Sequence, residues 1–167
     1  MRETGFVAPP APSAEIVFAE AILWAGDIVA ESTPIRMSTV LGSCVSVCLF
    51  DSERQLGGMN HYLVPRGGKA AIHGDWAIAA LIERMVELGS PRRALVAKVF
   101  GGGSPLRLEN EEYAVGRANV ALAHEILAEH GIPIVAERVE HCGGLRLYFE
   151  SWTGTVWLRL HGKKGTP

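Results

Sequence analysis

Ile35-Arg36-Met37-Ser38-Thr39-Val40-Leu41-Gly42-Ser43-Cys44-Val45-Ser46-Val47-Cys48-Leu49 holds the clearest structural signal in the chain. Residues 35 to 41 are extended in character, Gly42-Ser43 interrupts them, and Val45, Val47 and Leu49 then alternate with Cys44, Ser46 and Cys48. That period of two is the pattern of a strand. Asp51-Ser52-Glu53-Arg54 is a polar turn cluster, and residues 59 to 64 are apolar again up to Pro65, so the spacing predicts an antiparallel hairpin. With its centre in the middle of that turn, Cys44 falls directly across from His61, at a Cβ separation of roughly 4.5–5.5 Å. A slip of one residue would put the two side chains on opposite faces, and Gly57-Gly58 is where a bulge could introduce it.

Working outward, residues 15–19 and 22–29 are rich in β-branched and aromatic residues and are expected to form short strands around a turn. Ile78, Leu81, Ile82, Met85 and Leu88 recur at helical spacing, with Glu83 and Glu87 opposite and Gly89 at the stop, predicting a core-facing helix over 75–88. Val120, Leu122, Ala123, Ile126 and Leu127 repeat the pattern in a second helix that ends at Gly131. Residues 94–100 read as a buried strand, and 132–139, 145–151 and 155–160 as three more. Strands before, between and after two helices predict an α+β fold: a single-domain layered sandwich of mixed, mainly antiparallel sheet with two principal helices. A Rossmann fold is not supported. Gly101-Gly102-Gly103 is followed by Ser104-Pro105, which completes neither a dinucleotide fingerprint nor a phosphate loop, so a turn with positive φ is expected there.

The chain of 167 residues suits one domain, expected over 15–162 between a flexible segment at 1–14 and a tail at 163–167. Sixteen basic against eighteen acidic residues leave a formal charge of −2, and the only basic clusters are Arg92-Arg93 and Lys163-Lys164. Nucleic-acid coating needs a basic stripe that this charge pattern lacks. The proline-rich start lacks a secretory pattern, and Glu20 and Asp27 break the apolar stretch 16–30, so a cytoplasmic protein is expected. Cys44, Cys48 and Cys142 are an odd number, and free thiols are the expectation.

Cys44 stands at the mouth of a strand just after Gly42-Ser43, where backbone N–H groups can face a substrate oxygen; Cys48 lies inside the strand. A Cys–His pair can carry nucleophilic catalysis. The competing chemistry is a metal site drawn from Cys44, Cys48, His61, His141 and Cys142. Two cysteines four apart on a strand stand roughly 13 Å apart at about 3.3 Å per residue, too far to share one zinc ion. His73, His124, His130 and His161 suit surface or capping positions, and Trp24, Trp76, Trp152 and Trp157 suit core or interface positions.

The string from Ser38 to Val45, with Gly57-Gly58-Met59-Asn60-His61 and Pro65 after it, resembles the chemoreceptor glutamine deamidase family, CheD. Lys98-Val99-Phe100-Gly101-Gly102, then Gly116-Arg117-Ala118-Asn119-Val120, then Gly143-Gly144 look like later landmarks of that family in the same order. The resemblance implies an enzyme that hydrolyses selected glutamine side chains of bacterial chemoreceptors to glutamate with release of ammonia, by a Cys–His thioester mechanism. It implies Cys44 as nucleophile and His61 as general base, with the family's third catalytic position, usually threonine, at Ser38. Oxyanion donors would lie near Ser43 and Cys44, and no metal or organic cofactor is required. Two departures stand out: serine lacks the methyl group that stiffens χ1, and Glu140-His141-Cys142 precedes the double glycine where the family tends to have an aspartate. The implied partners are chemoreceptor cytoplasmic domains and a CheC-type phosphatase. The alternatives are a non-catalytic binding module that regulates such a phosphatase and, more weakly, a zinc site.

Overall fold

The computed structural model describes Pro9 and residues 16–104 and 111–161. The expected flexible segment 1–14, apart from Pro9, and the tail 163–167 lie outside the described residues. Among the described residues, nine strands and two long helices occur in the order β1 (Ala19–Ile22), β2 (Ile28–Ala30), β3 (Ile35–Leu41), β4 (Val45–Asp51), β5 (Leu56–Asn60), α1 (Gly74–Glu87), β6 (Leu95–Gly101), α2 (Glu111–Glu129), β7 (Ile134–Val139), β8 (Gly144–Glu150) and β9 (Val156–His161). A 3-10 turn at Arg92–Ala94 leads into β6. The strands form two sheets, ordered β1-β3-β8-β9 and β2-β5-β4-β6-β7. Among the described strands, only β1–β3 and β6–β7 pair in parallel. The fold is therefore the expected α+β sandwich with mainly antiparallel pairing.

Alternation along the strands builds two cores. In β4, Val45, Val47 and Leu49 face α1 and α2, where Ile78, Leu81, Ile82, Met85, Ala123 and Leu127 cover them. Cys48 faces the other way, into the space between the sheets, with Met37, Leu41, Met59, Leu147 and Phe149. At its centre the five-stranded sheet is thus buried on both faces, which explains why β4 reads as almost continuously apolar. The four-stranded sheet is half-exposed, and β3 shows it: Ile35, Met37, Thr39 and Leu41 are buried, while Val40 is exposed.

The early strands differ from expectation. Residues 23–27 form a turn, closed by the Trp24 N–H donating to Asp27 Oδ2 (2.8 Å), so β1 and β2 are shorter than the apolar composition suggests. Trp24 and Trp76 are exposed, whereas Trp152 stacks on Phe18 at 5.0 Å. The hairpin register also differs. Asp51 is the last strand residue, paired with Leu56, and its carboxylate accepts from the Glu53 and Arg54 N–H groups. The turn is therefore Ser52–Gln55, the same length as the polar cluster but shifted one residue along the chain, and Gln55 adopts φ 51°. Pairing runs without a bulge through Gly57 and Gly58 to Cys48↔Met59 and on to an isolated bridge, Val45↔Tyr62.

Candidate active site

The register correction moves Cys44 two places from His61, and two places preserve the face. Val45 and Tyr62 exchange both backbone hydrogen bonds (3.1 and 3.0 Å) and face the helices. Their neighbours Cys44 and His61 consequently face the inter-sheet space, as diagonal rather than direct partners. Diagonal side chains on one face lie roughly 7–8 Å apart at Cα, still within reach of a long or aromatic side chain. Cys44 sits where the chain leaves β3 in one sheet and enters β4 in the other, half-buried against the inter-sheet core. Its carbonyl accepts the Gly102 N–H at 2.8 Å. A Cβ at Gly101, where φ is 106°, would lie 2.1 Å from that carbonyl oxygen, so only glycine lets β6 approach the Cys44 loop this closely. The positive-φ turn expected at Gly101-Gly102 is present.

His61 is buried, and Thr39 positions its ring. The Thr39 hydroxyl lies 2.7 Å from the Leu23 carbonyl and 2.9 Å from His61 Nδ1. A hydroxyl has one hydrogen, and the carbonyl can only accept. Thr39 therefore donates to Leu23 and must accept from His61, which puts the ring proton on Nδ1. Nε2 is left with its lone pair, buried and without a hydrogen-bond partner among the described residues. Burial holds the imidazole below its ordinary pKa of 6.5, opposed in part by the Leu23 carbonyl and the Asp27 charge. The ring is neutral at neutral pH, with its basic nitrogen available.

Ser38, expected at the orienting position, is on the opposite face of β3, cross-strand from Tyr148. The residue on His61 is Thr39. The alternation Ile35, Met37, Thr39, Leu41 carried the signal for it, since these residues share the buried face. Ser43 lies in the crossing between β3 and β4, half-buried, and its carbonyl accepts from Asn119 Nδ2 at 3.0 Å. Asn119, quoted above only as a landmark, is thus a neighbour of the site.

The alternative ligands do not gather here. Among the described residues no three His, Cys, Asp or Glu side chains are grouped to hold a metal ion. Cys48 is buried, which pushes its thiol up to about 12 despite the opposing influence of Ser46 and Lys98. His141 is buried against Gly103 beyond β7, and Cys142 beside it is exposed. His124 pairs with Glu137 at 2.8 Å on the surface.

The arrangement puts a half-buried cysteine and a buried imidazole, its Nδ1 held by a hydroxyl, on one face of the sheet, a combination of groups that cysteine-dependent acyl transfer would use. Residues 65–160 match the family model described as CheD chemotactic sensory transduction. Similar chains include "Probable chemoreceptor glutamine deamidase CheD" of Sulfurimonas denitrificans, 44% identical over 75% of this chain and 84% of that one. "Probable chemoreceptor glutamine deamidase CheD 1" of Anaeromyxobacter dehalogenans is 40% identical over 84% of each, and the Rhodospirillum rubrum protein of the former name is 41% identical over 80% of this chain and 78% of that one. The chain belongs to the CheD family, the chemoreceptor glutamine deamidases. The family-model match begins after Cys44 and His61, so the case for those two residues rests on their geometry. No helix among the described residues is long and apolar enough to cross a membrane.

Proposed function

We propose that this protein converts selected glutamine side chains of chemoreceptor cytoplasmic domains to glutamate, with Cys44 as nucleophile and His61 as general base and acid. The observation that carries this reading is the Thr39–His61 contact at 2.9 Å, because it assigns the ring proton to Nδ1 and leaves Nε2 able to take a proton. Nε2 removes the Cys44 thiol proton as the sulfur attacks the carboxamide carbon. The tetrahedral oxyanion is held by backbone N–H groups at Ser43 and Cys44. His61 returns the proton to the departing ammonia, the thioester forms, and a water deprotonated by the same nitrogen releases glutamate. Each turnover consumes one water, yields one ammonia and leaves sulfur and imidazole as they began. No metal or organic cofactor enters these steps.

Each conversion puts an anion on a receptor helix, where like charges repel and packing shifts, which suits a role in adaptation. Such a substrate places the protein in the cytoplasm, and a CheC-type phosphatase is the proposed regulatory partner. Thr39 offers His61 a hydroxyl where the resemblance implied Ser38, which supports the catalytic reading over a purely non-catalytic module. Incubation with receptor cytoplasmic fragments is expected to raise their mass by about one dalton per converted glutamine and to release equimolar ammonia. Cys48→Ala should keep the activity, since that thiol stays protonated between the sheets. No mass gain with receptor fragments, or loss of activity in a folded Cys48→Ala protein, would refute the reading.

A further inference from the structure

Asn119 lies in α2, wholly buried, and its side chain does not belong to the Cys–His–Thr arrangement. Its Nδ2 donates to the carbonyls of Ser43 and Leu63, both at 3.0 Å. Both partners are pure acceptors, so the amide must present its nitrogen to them, and its two hydrogens are fully used. The Asn119 backbone carbonyl also accepts the Tyr62 hydroxyl at 2.7 Å. Ser43 immediately precedes Cys44, and Tyr62-Leu63 immediately follows His61. One helical residue therefore grips both halves of the site. It comes this close because Gly116, one turn earlier, lets α2 meet the Gly101–Gly103 turn: a Cβ at Gly116 would lie 2.7 Å from the Gly102 carbonyl oxygen.

The grip on Ser43 fixes a direction as well as a position. In a trans peptide the C=O and the following N–H are antiparallel. With the Ser43 carbonyl held toward α2, the Cys44 N–H is turned away from the helices, toward the inter-sheet side on which the Cys44 side chain packs. We propose that Asn119 is a positioning residue for catalysis, whose amide, by holding the Ser43 carbonyl, aims the Cys44 N–H at the oxygen of the substrate carboxamide. This rests on the deamidase reading given above. It deepens that reading by naming the group that preorganises the oxyanion donor, where geometry set before the reaction counts most.

The test separates oxyanion stabilisation from thiol reactivity in the full-length chain. In Asn119→Ala, kcat on receptor fragments is expected to fall about 10²-fold, with KM within about twofold of wild type. Alkylation of Cys44 by iodoacetamide, a displacement that develops no oxyanion, should keep its rate and pH profile within about threefold. Should alanine prevent folding, Asn119→Asp, equal in size but lacking the paired N–H donors, takes the same two assays. A kcat within about threefold of wild type in a folded variant, or alkylation that falls in step with kcat, would overturn the assignment. A peptide carrying an aldehyde in place of the glutamine carboxamide gives a separate reading. Cys44 sulfur adds to its carbon, the thiol proton ends on its oxygen, and that oxygen needs the same donor. Asn119→Ala should bind this probe about 10²-fold more weakly. If wild type leaves receptor glutamines unchanged yet binds the aldehyde in an Asn119-dependent way, the deamidase reading fails, while the aiming of the Cys44 N–H by Asn119 stands for a substrate other than these glutamines. Equal aldehyde binding by the two proteins, or none by wild type, would overturn this one.

Discussion

Thr39 has one hydroxyl hydrogen, and the carbonyl of Leu23 takes it. That single hydrogen settles the tautomer of His61 and with it the side of the ring able to act as base. Removing the hydroxyl should leave the imidazole free to rotate and to bind its proton at either nitrogen. Thr39→Ala is therefore expected to lower kcat by about 10²-fold or more, while Ser38→Ala, altering the opposite face of β3, stays within about threefold; steady-state kinetics on receptor fragments checks both. The pH dependence follows from burial. A His61 held below 6.5 is neutral above that value, so the acid limb of kcat/KM should fall below pH 6.5. The stability tied to the neutral ring has the same sign. It is complete above the unfolded value and declines as pH falls from about 6.5 through the folded value, visible as a smaller acid loss of melting temperature in a folded His61→Gln protein. The resemblance implied Ser38 as the orienting hydroxyl, whereas it is Thr39 that contacts His61, because counting along a family motif ignores pleating. The buried run Ile35, Met37, Thr39, Leu41 held the correction in plain view.

At the scale of elements, the β4–β5 hairpin explains what could and could not be read. Its existence followed from alternation and a polar turn. Its register did not, because Asp51 looks like a turn residue and is instead a strand end whose carboxylate reaches forward to the Glu53 and Arg54 N–H groups. The error was two places on the facing strand, and parity kept Cys44 and His61 on one face. That β3 and β4 belong to different sheets was not legible either, since Gly42-Ser43 reads equally well as a hairpin turn or a crossing. The crossing is what places the cysteine at the rim of both sheets. Gly101 guards it. Gly101→Ala would require φ 106° of a residue with a Cβ and would drive that atom onto the Cys44 carbonyl. It is expected to cost more than about 1 kcal/mol of stability by denaturant unfolding and to depress activity further than that loss alone explains.

Across the whole molecule, one buried sheet separates two cores that do different work. The core toward α1 and α2 stabilises the helix layer from which Asn119 reaches the site. The core between the sheets holds β3, which carries Thr39, against β4 and β5, which flank Cys44 and His61. Phe149 of β8 is fully buried there and lies against Gly57 of β5. Phe149→Ala should therefore lower unfolding free energy by about 3–5 kcal/mol and loosen the distance between hydroxyl and imidazole, reducing kcat even where the protein remains folded. The two-helix α+β class was accessible from periodicity because the helices are long and amphipathic. The division into two sheets depends on long-range pairing such as β3 with β8, which no local pattern records.

The central claim is that Cys44 sulfur, activated by His61, opens the glutamine carboxamide. Mass spectrometry of chemoreceptor cytoplasmic fragments after incubation with wild type, Cys44→Ala and His61→Ala tests it most directly. The account predicts a gain of about one dalton at particular glutamines with wild type and none with either variant, all three proteins being folded. Conversion by Cys44→Ala at the wild-type rate would contradict it.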